Sequence, residues 1–224
     1  MTCPWYRFSM WFKYIFLFLF IGCSGYRFTQ QDNPLAQYGI DSLSVPMFYN
    51  YSNQSEVSAS FTKEVYRLLT QYTGLKLKSG YSTSTDAVMI GIVKSPEQVY
   101  ETLSPDNLRV ANDRAARAIG NRRGSFYIPG TTNVSLFLHV IVLKKPTPEQ
   151  LSLVQSGYGE QLLTNSKVIF NEIIPLRAEY TREIFDGDSV AITATQNTGL
   201  QRKVIQSMAE QAAQSVKEMI FYAF

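Results

Sequence analysis

Five arginines fall between Asn107 and Gly124 (Arg109, Arg114, Arg117, Arg122 and Arg123), against one acid, Asp113. Guanidinium groups grip phosphate through paired N–H donors, so this run suits a phosphate-reading patch as well as it suits a solvated helix face. The other chemically capable side chains are scattered. His139, the sole histidine, sits in the apolar run SLFLHVIVL, where a strand would put it on one face with Phe137 and Ile141. That setting suits a structural histidine. No Gly-x-Ser-x-Gly turn presents a nucleophile, and Ser156-Gly157-Tyr158-Gly159 lacks the spacing of a dinucleotide or phosphate loop. Asp186 and Asp188 flank Gly187 as turn chemistry does, and Asp86 has no partner carboxylate at fixed local spacing. Carboxylates from distant segments could still converge, but the residues give no positive reason to expect an enzyme, a metal or a cofactor.

The remaining reactive side chain is Cys23. Residues 1–22 read as a secretory signal: Arg7 and Lys13 supply the positive charge, and Tyr14–Ile21 is an apolar run of eight. That run is shorter than the roughly 20 residues needed to span a bilayer. Ile21-Gly22-Cys23 closes it and resembles the lipobox of bacterial lipoproteins, with Phe20 standing where those proteins usually have Leu. The resemblance implies that Cys23 is lipidated as the new N-terminus, and Ser24 after it fits outer-membrane sorting. Cys3 would leave with the leader, so no disulfide would remain.

Those first 22 residues hold nine of the 30 aromatics and two of the 21 basic residues, with no acid. The other 202 carry 19 basic and 18 acidic side chains, a net charge of +1, which argues against a nucleic-acid partner. Residues 23–39 are polar and turn-rich and form the expected lipidated N-terminus and tether; residues 40–224 form one domain. Ile40–Phe48 alternates as a strand with Leu43, Val45 and Met47 on one face, and Pro46 makes it an edge strand or ends it early. Val57, Phe61, Val65, Leu68, Leu69 and Tyr72 form a single helical stripe, with a capping-box-like start at Asn53 and Glu56 and a stop at Gly74. Leu75–Ser79 is the next strand, and Ala87–Val93 is apolar on both faces, as a central strand is. Asp106–Ile119 reads as a helix, Thr131–Lys144 as a long strand, and Thr147-Pro148-Glu149-Gln150 as a helix start. Lys167–Arg177 is a further strand and the last helix runs from about Gly199 to Phe221. The string predicts an α+β fold: a two-layer sandwich of an about four-stranded mixed sheet with two main helices on one face, plus extra short helices.

Cys23-Ser24-Gly25-Tyr26, the segment Ile40 to Asn50 with its Pro46, aromatics and Asn50, the helix after it, Gly74-Leu75, the strand Thr85 to Ile92 with Gly91, and the Thr198–Ile220 helix occur in an order that resembles the lipopolysaccharide-assembly lipoprotein LptE family. The resemblance implies a four-stranded sheet with two helices on one face and no catalytic activity. It also implies residence as a plug inside the β-barrel LptD at the outer membrane, on the periplasmic side, and direct binding of lipopolysaccharide. By position, the family's basic residues resemble Arg122, Arg123 and Lys167, with Arg117 beside them. Pro105–Gly120 and Pro148–Leu163 look like helical insertions relative to that family. The competing expectation is a lipoprotein that activates a peptidoglycan synthase. The 16 residues from Ser24 to Gly39 span at most about 55 Å, short for reaching through a cell wall, and so favour a partner at the outer membrane itself.

Overall fold

The computed structural model describes residues 31–96, 103–110, 127–155, 167–183 and 190–222. The fold is an α+β sandwich built on a mixed sheet of seven strands. In chain order the elements are β1 (Ser42–Val45), β2 (Tyr49–Tyr51), α1 (Val57–Leu69), β3 (Lys76–Ser79), β4 (Ala87–Lys94), β5 (Leu103–Val110), β6 (Tyr127–Lys144), α2 (Pro148–Gln155), β7 (Val168–Thr181) and α3 (Val190–Tyr222). The strand order is β3-β1-β4-β6-β5, with β2 also paired to β4 and β7 to β6. β1 runs parallel to both β3 and β4, and β2 runs parallel to β4. β6 is antiparallel to β4, β5 and β7.

β6 has 18 residues and organises the sheet. Its second half, Phe137–Lys144, pairs with β4, and its first half, Tyr127–Val134, pairs with β5. Even-numbered residues Val134 to Val142 face α1 and α3, and join Leu43, Met89, Phe61, Val65, Met208, Ala212 and Val216 in the main core. Odd-numbered Ile141 and Leu143 face the other way, into a smaller cluster with Val88, Ile90, Ile92 and Leu151 of α2. β4 is therefore buried on both faces, as its unbroken apolar run requires. Alanines 209, 212 and 213 let α3 approach the sheet closely.

Several local expectations give way to tertiary pairing. The sheet has seven strands where about four were expected: the chain beyond Pro46 re-forms as β2 on β4, and β5 is added because β6 is long enough to accept two partners end to end along one side. Leu103–Val110 is a strand, so the helix predicted over Asp106–Ile119 fails for its first residues, the rest lying outside the described residues. Its ladder with β6 satisfies backbone groups that the long strand would otherwise leave open. Pro46 ends β1 at Val45, as expected, but β1 is interior, flanked by β3 and β4; the edge is β3, whose Lys76 and Lys78 are exposed. Met47 lies beyond the strand and is 65% exposed instead of sharing the buried face.

The stripe from Val57 to Tyr72 is buried throughout, although α1 closes at Leu69, before Tyr72. Gly74, at φ 83°, turns the chain after it. No side chain caps the start of α1: the Asn53 Oδ1 accepts from Gln54 and Ser95, and Glu56 pairs with Arg202 at 2.8 Å. α2 starts where the sequence suggests, and Gln150 completes a capping box: Thr147 N–H donates to its Oε1 at 2.9 Å and Gln150 N–H returns to Thr147 Oγ1 at 3.3 Å. α3 begins nine residues before Gly199, since Thr198 folds its hydroxyl back onto the Ala194 carbonyl at 2.9 Å and stays helical.

Candidate functional site

Lys167 stands at the head of β7, half-buried, and its Nζ donates to the Lys145 carbonyl at 3.2 Å. Lys144 beside it reaches the Tyr38 carbonyl with its own Nζ, so three lysines gather at the end of β6. Next to them, the Asp86 carboxylate ties β1 to β4. Its Oδ2 accepts from Ser42 Oγ at 2.7 Å, Ser42 N–H at 2.9 Å and Asp41 N–H at 3.2 Å. The Ser42 hydroxyl, the two N–H groups and nearby Lys145 outweigh desolvation and hold its carboxyl below the usual range. The Asp86 Oδ2 is thus occupied by structural bonds.

Of the residues predicted to meet lipopolysaccharide, Lys167 alone is described; Arg117, Arg122, Arg123 and the lipidation site Cys23 lie outside the described residues, as do Asp186 and Asp188. Arg109, first of the arginine run, is placed on β5 opposite Ile128. Lys144, next to Lys167, lies 16 residues further along β6, so Arg109 and Lys167 belong to opposite ends of that strand in register.

His139 takes the structural position expected of it. It is 5% exposed on the face opposite α1 and α3, and its Nε2 lies 2.6 Å from Asn171 Oδ1 on β7. Among the described residues no three His, Cys, Asp or Glu side chains gather as metal ligands would. No described helix is long and apolar enough to cross a membrane.

The sequence reading missed an open cleft of about 640 Å³ where β1 and β3 stop, at Val45 and Ser79, beside α1. Ala59, Thr62, Lys63, Tyr66 and Arg67 recur at i, i+3, i+4, i+7 and i+8, a second stripe next to the buried one, and all line the cleft. Its surface is mostly apolar. Met47 hangs over it from the turn after Pro46. Arg67 is tied by its Nε to Glu64 at 2.7 Å, whereas Lys63 makes no hydrogen bond or ion pair among the described residues. The legible signal was that second stripe, in which Ala59 and Tyr66 alternate with cations.

No family model and no curated protein matches the chain. The chain is similar to several solved structures. A candidate lipoprotein from Caulobacter crescentus CB15 is 8% identical, with a TM-score of 0.39, over 78% of this chain and 87% of that one. Rare lipoprotein B from Shewanella oneidensis is 10% identical, with a TM-score of 0.34, over 78% and 95%. Lipoprotein GNA1162 from Neisseria meningitidis is 7% identical, with a TM-score of 0.31, over 73% and 96%. The names belong to those proteins.

Proposed function

We propose that the chain is an outer-membrane lipoprotein, anchored through Cys23, that plugs and assists assembly of an LptD-type β-barrel and binds lipopolysaccharide on its way to the outer leaflet. The observation that carries this reading is the order of parts along one chain. A short leader ends at Cys23, and the Pro46 segment, the α1 stripe, the Gly91 strand and a C-terminal helix follow. The two main helices pack on one face of the sheet, which is the arrangement the resemblance implies. Neither a catalytic constellation nor a cofactor enters this function; the chain would act by filling a lumen and offering cations to phosphorylated lipid.

The test is affinity capture of the tagged chain from detergent-extracted outer membranes, followed by mass spectrometry. A large β-barrel recovered in roughly equal amount is the expected result. A penicillin-binding protein recovered without a barrel would overturn the reading in favour of a synthase activator.

A further inference from the structure

We infer that the cleft between α1 and the ends of β1 and β3 holds one acyl chain of a phospholipid whose head is anionic, with Lys63 facing the head. Its volume, about 640 Å³, lies within the roughly 300–1,000 Å³ of small-molecule pockets. The lining asks for hydrocarbon: Val45 closes the floor, Tyr66 gives one wall, and Met47, 65% exposed, offers a flexible thioether that can fold down over a chain of any kink. An apolar side chain so exposed over an apolar slot gains from being covered.

Charge selects the head. Arg67 is already neutralised by Glu64, and Lys63, one turn earlier on the same side of α1, is left without such a bond among the described residues. No carboxylate lines the cleft, and Glu64, whose charge Lys63 also feels through space, is shared with Arg67, so the two cations keep an excess positive charge for a negative head. A zwitterionic head would bring a second cation against Lys63 and gain less. The open side of the cleft leaves the head, and a second chain, outside. The inference uses only α1, β1, β3 and the Met47 turn, shares no residue with the basic set invoked for lipopolysaccharide, and stands or falls apart from the barrel partner.

The full chain is reconstituted on phosphatidylcholine vesicles carrying either diazirine-tagged phosphatidylglycerol or diazirine-tagged phosphatidylcholine, irradiated, and mapped by mass spectrometry. Label concentrated on Met47 and on the Ala59 to Tyr66 stretch is expected, at about fivefold higher yield from phosphatidylglycerol, as one exposed ion pair supplies. Lys63→Glu should abolish that preference while leaving phosphatidylcholine labelling unchanged. Ala59→Trp, at an exposed helix position, should fill the slot and reduce label about tenfold. Met47→Gln, at a position 65% exposed and outside the core, gives a second reading that folding does not confound, and should also lower the yield. Label spread evenly over the surface, or wild-type yield in Ala59→Trp, would each overturn the inference.

Discussion

Tyr72 closes the buried stripe of α1, yet its hydroxyl is buried with no hydrogen-bond partner among the described residues. Its ring packs on Phe221, with centroids 5.8 Å apart. Burial pushes the phenol up to about 12 from its ordinary 10.0. Tyr72→Phe keeps the ring contact and removes the stranded oxygen, so it should raise stability by about 1 kcal/mol, read as a later urea midpoint. The sign with pH follows from the raised value. Stability from the neutral phenol is full below about pH 10 and is lost as pH rises toward 12, and the Phe variant should lack that part of the alkaline decline. An unchanged alkaline limb would sink the assignment. Gly91 is the converse case, a missing group that packing demands. A Cβ there would overlap the Phe48 ring, so Gly91→Ala should cost about 1–3 kcal/mol. Coupled with Phe48→Leu, it should cost less than the two single changes summed, in a urea double-mutant cycle. Gly91 entered the sequence reading only through the family resemblance; that Phe48 fills the space above it depends on a segment 43 residues earlier and was not legible.

Between elements, α1 and α3 are joined by polar bonds as well as by apolar packing. Glu64, 3% exposed, accepts from Arg67 at 2.7 Å and from Gln206 of α3 at 2.9 Å; Arg202 meets Glu56 at 2.8 Å. Burial opposes the charge on Glu64, but the bonds from Arg67 and Gln206 together prevail and hold its carboxyl below the ordinary 4.5. Glu64→Ala removes the Arg67 and Gln206 bonds, leaving Gln206 its Glu210 partner at 3.3 Å and Arg67 to solvent, and should lower stability by about 1 kcal/mol in thermal or urea unfolding. Glu64 and Asp86 both have lowered values in the fold, so what they contribute is full above the ordinary carboxylate range and disappears as pH falls through those lower values. Ser42→Ala, which removes the first support of the Asp86 carboxylate, should flatten part of that acid limb in a melting series. The α1 stripe and the two-faced burial of β4 were legible because periodicity reports burial directly. The strand at Leu103–Val110 was not, since only β6 makes it a strand, and the Glu64–Gln206 bond joins residues 142 positions apart.

On the scale of the whole molecule, the sandwich and its helix-covered face were predictable from element order, whereas strand count depended on the break at Pro46 and the length of β6, and the edge on the pairing of β3 with β1. The proposed function leads to one prediction here. Arg122→Ala with Arg123→Ala should weaken lipopolysaccharide binding by about tenfold, with the effect shrinking as salt rises, while the unfolding midpoint stays at its wild-type value. Equal binding by the double variant at low salt would remove those two residues from the function.

The register that joins β4 to β6 also sets a timetable. Ala87–Val93 contains no charge and no proline, and its central partner, Phe137–Lys144, is complete only 51 residues later. At roughly 5–20 residues per second, a chain made from its N-terminus presents this β-forming segment for about 3–10 s before the strand that shields it exists. Such a segment, unpaired, is a nucleus for cross-β aggregation. The architecture that buries β4 so thoroughly in the finished protein therefore leaves the β6 edge of that strand open until residue 144 has been made.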